Sequence, residues 1–205
     1  GIISGISEVA SMRVCEEESL ADVRLSNPEY VLPSARILTS GCGGGVTFRN
    51  EGERVDSDLV IVPRQVLLLM KRLRRLKEAL IPCGGVHVSA LCDVKELLVV
   101  AEDIGRHNTL DKIQGECLLR RISTRDRLLL STGRISSEML LKAAKMKTPV
   151  IVSQHSPTSR AVSLAQELGI TLIGYARGSR LSVYFHPERF GRSADERQTV
   201  YALQV

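Results

Sequence analysis

The chain has 205 residues, 43% hydrophobic and 25% charged, the composition of a soluble globular protein with one compact domain, or one domain and a small appendage. No apolar run approaches the about 20 residues of a membrane span; Val66 to Met70 runs straight into Lys71 and Arg72, so no membrane span is expected. Basic residues exceed acidic ones by 5 (28 minus 23), which favours anionic partners, while the absence of Trp and the three Phe and four Tyr leave little to stack single-stranded bases on. A phosphate-bearing small molecule fits better than nucleic acid.

Residues 1–60 are predicted to form a small strand-rich piece. Ser11–Val14, Ser19–Leu25 and Ser34–Thr39 read as short strands, interrupted at Asn27-Pro28 and Leu32-Pro33. Gly41-Cys42-Gly43-Gly44-Gly45 follows, expected as a mobile loop because glycine loses much conformational freedom when ordered. Pro63 then opens a helix in which Val66, Leu67, Met70, Leu73 and Leu80 keep a helical spacing, with Lys71 to Lys77 as its solvated side.

Residues 61–205 read as an α/β domain. Strands are predicted at Val86–Leu91, Leu97–Ala101, Leu128–Leu130, Val150–Val152, Thr171–Tyr175 and Leu181–Phe185, and helices at His107–Ile122, Ile135–Met146 and Ser159–Leu168. Strands alternating with helices of this length indicate layers around a mixed, mainly parallel sheet.

Ligands of such sheets sit beyond the carboxyl ends of the strands, where this chain collects small and charged residues. Glu102-Asp103-Ile104-Gly105-Arg106-His107-Asn108 follows one strand and Ser131-Thr132-Gly133-Arg134 another. Ser153-Gln154-His155-Ser156-Pro157-Thr158 and Ala176-Arg177-Gly178 follow two more. Gly133 permits close approach of backbone N–H groups to an anion, and the helices starting near Ile135 and Thr158 offer positive ends. Arg106, Arg134 and Arg177 add bidentate donors. Taken singly, Asn108, Ser137 and Thr158 read as helix caps; together the four loops read as a binding site. His107 is either a general acid or base or a histidine satisfied at a helix start, able to pair with Asp111 one turn on. Gly85 and His87 lie in Cys83-Gly84-Gly85-Val86-His87, which lacks the second half of a zinc-deaminase signature, so no metal site is expected.

The five cysteines, Cys15, Cys42, Cys83, Cys92 and Cys117, are odd in number and contain no C-x-x-C, which points to free thiols in a reducing, cytoplasmic setting. The N-terminus has no signal-peptide pattern and opens on Gly1 rather than Met, as a trimmed piece would. Cys92 and Cys117 fall in apolar contexts that suggest inert thiols. Cys42 stands among glycines that can expose it and stabilise a thiolate. A sulfur carrier needs such a thiol, though spacing alone favours an incidental cysteine in a flexible turn.

Several stretches together resemble the formate dehydrogenase accessory sulfurtransferase family. They are Gly84-Gly85-Val86-His87, the run Glu102 to Asn108 with Asp111-Lys112, and Gly133-Arg134-Ile135-Ser136-Ser137-Glu138-Met139. Ser156-Pro157-Thr158-Ser159 and Gly169 to Gly178 complete the match. The resemblance implies a three-layer, cytidine-deaminase-like α/β fold without the deaminase zinc ligands. It also implies relay of sulfur from a cysteine desulfurase to a bound molybdenum (or tungsten) bis(molybdopterin guanine dinucleotide) cofactor, needed by formate dehydrogenase, in a protein that forms homodimers. On this basis Cys42 is the expected catalytic thiol. Gly85, His87, Asp103, Arg106, His107, Asn108, Ser131, Gly133, Arg134, Ser153, Ser156, Thr158, Ala176, Arg177 and Gly178 are the expected cofactor-binding residues. The family loop commonly carries C-x-x-C, whereas Gly45 stands here at the second cysteine position. That departure keeps a non-catalytic cofactor chaperone as the alternative.

Overall fold

The computed structural model describes residues 3, 5–29, 36–38, 46–48, 52–80, 84–191 and 199–202, in two compact units, Gly1–Asn50 and Glu51–Val205. In the first, β1 (Val9–Cys15) and β2 (Leu20–Leu25) form an antiparallel pair in which Met12 faces Val23 and Val14 faces Ala21. The backbones of β3 (Arg36–Leu38) and β4 (Val46–Phe48) form a second antiparallel pair. β3 lies within the expected Ser34–Thr39, whereas β4, directly after the glycine run, has no counterpart among the expected strands.

The second unit holds α1 (Pro63–Leu80), β5 (His87–Cys92), β6 (Leu97–Asp103), α2 (Arg106–Arg120), β7 (Leu128–Ser131), α3 (Ser137–Lys145), β8 (Val150–Ser153), α4 (Ser159–Leu168), β9 (Thr171–Arg177) and β10 (Arg180–Phe185). A short β11 (Thr199–Ala202), beyond the last expected strand, pairs in parallel with β10. Residues 52–60 belong with this unit: the Val55 N–H donates to the Leu168 carbonyl at 2.8 Å.

The sheet order is β11-β10-β9-β8-β7-β5-β6. Only β7, β8 and β9 form the expected parallel run; β5 is antiparallel to both neighbours and β10 to β9. Connection length is the reason, because short links join only antiparallel strands. Asp93 Oδ1 accepts the N–H groups of Lys95 and Glu96 at 2.7 and 2.8 Å, closing β5–β6 with a side-chain-stabilised turn. Gly178, at φ 59°, turns β9 into β10.

Alternation in the central strands divides the interior into two cores. Leu128, Leu130, Val150, Val152 and Ile173 pack with Val66, Leu69, Met70 and Leu73 of α1. Leu129, Ile151 and Leu172 pack with Leu110 and Ile113 of α2, Met139 and Leu140 of α3, and Ala161 and Ala165 of α4. The crossovers through α2, α3 and α4 advance along the sheet in one direction, and right-handed connections therefore place all three on one face. The unit thus has three layers, with α1 alone on the other face. The helix expected from Ile135 starts at Ser137, because Ser136 is extended and the Ile135 carbonyl accepts the Thr158 N–H at 3.0 Å.

Leu73 is 0% exposed at the centre of the α1 core, whereas Leu119 on α2 is 64% exposed. Leu73→Ala is expected to destabilise the chain by about 2–5 kcal/mol, and Leu119→Ala to stay within about 0.5 kcal/mol. Both are read from urea midpoints at constant slope.

Candidate functional site

Three neighbouring strands place a serine at the same level. Ser89 of β5 is in register with Ser131 of β7, and Ser131 with Ser153 of β8; the three are 0%, 1% and 0% exposed. Buried hydroxyls need partners, and these find them in one another and in the loop after β7. Ser89 Oγ donates to Ser131 Oγ at 3.1 Å and lies 2.7 Å from Thr109 Oγ1 of α2. Ser131 Oγ accepts the Gly133 N–H at 3.1 Å, and Ser153 Oγ donates to the Gly133 carbonyl at 2.6 Å. Val88 and Thr132 hold the same loop: the Thr132 N–H donates to the Val88 carbonyl, and Thr132 Oγ1 accepts the Val88 N–H, both at 2.9 Å.

Gly133 is thereby wedged between two other expected site residues. A Cβ there would stand 3.0 Å from Arg106 Cβ and 3.1 Å from His87 Nδ1, tighter than side chains normally pack. Arg106 opens α2 and His87 opens β5, so the glycine permits three elements to meet at one edge.

The loop after β6 holds itself. Asp103 Oδ1 accepts the Gly105 N–H at 2.8 Å and Asn108 Nδ2–H at 3.0 Å, while Oδ2 pairs with Lys112 at 2.7 Å. Asp103 and Asn108 therefore set the start of α2 from within. His107 reaches toward α3: its Nε2 lies 2.8 Å from Ser136 Oγ and 3.4 Å from Glu138 Oε2. The expected pairing of His107 with Asp111 is not formed. One turn farther along α2, Asp111 meets Lys142 of α3 instead, because both side chains project toward the neighbouring helix. Ser136, the residue at the α3 N-cap, makes no cap bond with its own helix, its hydroxyl being engaged by His107.

The next loops join this edge through Gln154, whose N–H donates to the Ser131 carbonyl at 3.4 Å. Arg177 Nε donates to the Gln154 carbonyl at 2.8 Å, and Arg177 Nη2 lies 3.1 Å from His155 Nδ1. Thr158 acts as the cap expected of it, its Oγ1 accepting the Ala161 N–H at 3.3 Å. Ser156 is half-buried in the same loop; Arg134, Arg177, Gly178 and Gly85 are exposed. Ala176 packs into the α1-side core. Cys42 lies outside the described residues.

Several participants were not anticipated. The sequence places Lys77 on the solvated side of α1, but it follows Leu73 by four residues and Met70 by seven, on the stripe that faces the sheet. Its charge acts on both His87 and His155, so the end of α1 supplies a cation to this edge. That helical phase was visible in the sequence. Ser89 and Thr109 carried no signal, because two strands and a helix must assemble before their hydroxyls meet.

The site is cationic. Burial and the neighbouring Arg106, Lys77 and His155 hold His87 below its ordinary 6.5. Burial and Arg106 lower His107 against the opposing pull of Glu138. Burial, Arg177, Lys77 and Arg134 lower His155. Arg106 Nε and Gln154 Nε2 are buried without a partner among the described residues, so donors remain available. Such an edge suits an anionic ligand with several oxygen acceptors. Among the described residues, no group of three or more His, Cys, Asp or Glu side chains is placed to hold a metal ion.

The model of the FdhD/NarQ family matches residues 1–191. The chain belongs to this family. It is 40% identical over 197 residues to the sulfur carrier protein FdhD of Bacillus subtilis, spanning 92% of this chain and 75% of that one. Identity to the sulfur carrier protein FdhD of Staphylococcus haemolyticus is 38%, with the same coverage. The fold is similar to the crystal structure of a formate dehydrogenase accessory protein from Desulfotalea psychrophila, with TM-score 0.74 and 27% identity over 93% of this chain and 74% of that one. The resemblance drawn from the Glu102–Asn108 and Gly133–Met139 runs is therefore a true family relationship.

His87, His107 and His155 each have a folded-state pKa below the ordinary 6.5. The unfolded chain thus binds more protons as pH falls through that value, and stability present above 6.5 is lost below it. Urea unfolding from pH about 7.5 to about 5.5 is expected to show declining stability, with a shallower decline for His107→Gln. A flat profile would mean these histidines are not held neutral.

Proposed function

We propose that this chain is a sulfur carrier that takes sulfur from a cysteine desulfurase on Cys42 and passes it to a bis(molybdopterin guanine dinucleotide) molybdenum or tungsten cofactor. The cofactor is the substrate, held at the edge formed by the loops after β6, β7, β8 and β9, and the recipient is apo formate dehydrogenase. The observation that carries this reading is the meeting of Arg106, Gly133, His155 and Arg177 at one cationic edge in a chain whose relatives are named sulfur carrier proteins. The reading also places the protein in the cytoplasm as a homodimer and likens its three layers to cytidine deaminases.

The residues present suit such a substrate. Guanine dinucleotides carry phosphates, for which Arg106, Arg134, Arg177 and Lys77 are the available cations. The unpartnered Arg106 Nε and Gln154 Nε2 offer donors, and Gly133, its own N–H and carbonyl taken by Ser131 and Ser153, lets Arg106 and His87 close on the same edge. In the first transfer, the Cys42 thiolate attacks the outer sulfur of a donor persulfide; a bond to Sγ forms as the donor S–S bond breaks and the donor thiolate leaves. Gly45 at the position of the family's second loop cysteine favours the second reading, a chaperone that binds the cofactor without carrying sulfur.

Intact mass measurement after incubation with a cysteine desulfurase and cysteine separates the two. A reducible gain of one sulfur on the wild type and none on Cys42→Ala is expected; no gain on either would favour the chaperone. Arg177→Ala is expected to weaken guanosine diphosphate binding by roughly 1.5–3 kcal/mol, the range for a hydrogen bond to a charged group. Unchanged calorimetric affinity would remove Arg177 from the site.

A further inference from the structure

The charge of this protein is concentrated on one helix. α1 carries Arg64, Lys71, Arg72, Arg74, Arg75 and Lys77 against Glu78 alone, six minus one, or +5. The whole chain also carries +5, 28 minus 23, so everything outside α1 sums to zero. Lys77 faces the sheet; the other five project outward and are exposed.

The outer face is not a plain solvated helix surface. Leu68 is 47% exposed and Leu76 38% exposed on the same helix. At about 100° per residue, Arg64, Lys71, Arg72 and Arg75 all lie within about 60° of Leu68. Arg74 pairs with Glu78 at 3.6 Å and Arg72 donates to the Lys95 carbonyl at 2.6 Å. Arg64, Lys71 and Arg75 have no hydrogen-bond or ion-pair partner among the described residues. Lys71 and Arg75 stand four residues apart, a like-charge spacing that weakens a helix. Among the described residues no carboxylate pairs with Lys71 or Arg75 to relieve that repulsion.

We infer that the outer face of α1 docks a protein through an acidic surface, and that this protein is the apo-oxidoreductase receiving the cofactor. Exposed leucine ringed by arginine matches the composition of protein interfaces, where apolar centres and Arg are favoured. Carboxylates opposite would neutralise the uncompensated charge and steer the encounter. A nucleic acid fits less well, since the helix sets leucine between its cations and has no aromatic side chain. The choice of recipient follows from position: α1 packs against β5 and β9, and Lys77 in its last turn acts on His87 and His155, so a protein lying along it adjoins the edge from which the cofactor leaves. That choice rests on the sulfur-carrier reading.

The test measures association of the whole chain with a purified apo formate dehydrogenase at low and physiological salt, by light-scattering-checked calorimetry. Wild type, Lys71→Glu/Arg75→Glu and Leu68→Ser are compared, with circular dichroism confirming folded variants. Binding that weakens with salt, and at least tenfold with each variant, is expected, while guanosine diphosphate affinity stays unchanged. Equal binding by the charge-reversed chain overturns the proposal. So does no binding of the enzyme alongside tight, variant-sensitive binding of a DNA duplex, or self-association abolished by the same substitutions. Enzyme binding through α1 in a chain that never loads sulfur would instead overturn the relay and leave the docking face standing.

Discussion

The Gly133 peptide is held at both ends by buried hydroxyls, its N–H by Ser131 and its carbonyl by Ser153. Buried hydroxyls left without partners would destabilise the sheet, so this row and the loop it grips must form together. With the loop fixed, Arg106 and His87 close on either side of Gly133. The loop after β8 then anchors through Gln154 and presents its backbone to Arg177. Positioning of the whole edge descends from hydroxyls in register on three neighbouring strands.

Electrostatics act on the same edge from several elements. Arg106 comes from α2, Arg134 from the loop after β7, Arg177 from β9 and Lys77 from α1. Burial, and after it these cations, lower the pKa of His87 and His155, which favours the neutral ring; a His155 with Nδ1 unprotonated can accept from Arg177, a bond its protonated form would lose. His107 serves differently, joining the starts of α2 and α3 through Ser136 and Glu138. An anion entering here would meet oriented donors already in place, which reduces the ordering required on binding.

The chain belongs to the FdhD/NarQ family. Its second unit gathers cations at one edge suited to an anion, and Cys42, the proposed sulfur-carrying thiol, belongs in sequence to the glycine-rich run Gly41–Gly45. α1 serves two purposes: Val66, Met70 and Leu73 bury one core, Lys77 extends the same stripe to the cationic edge, and the opposite face gathers the charge.

The sequence by itself determined the α/β class, the α4 boundaries Ser159–Leu168 and the gathering of polar residues after successive strands, since alternation, helical spacing and turn formers are local properties. It also carried the family, through runs that compress site residues into short segments. Tertiary structure alone decided that β5 lies between β7 and β6, that Asp111 meets Lys142 rather than His107, and that Ser89, Ser131 and Ser153 form one row. Those outcomes depend on residues far apart in the chain, whose side chains come within bonding distance only when the sheet and both helix layers have assembled.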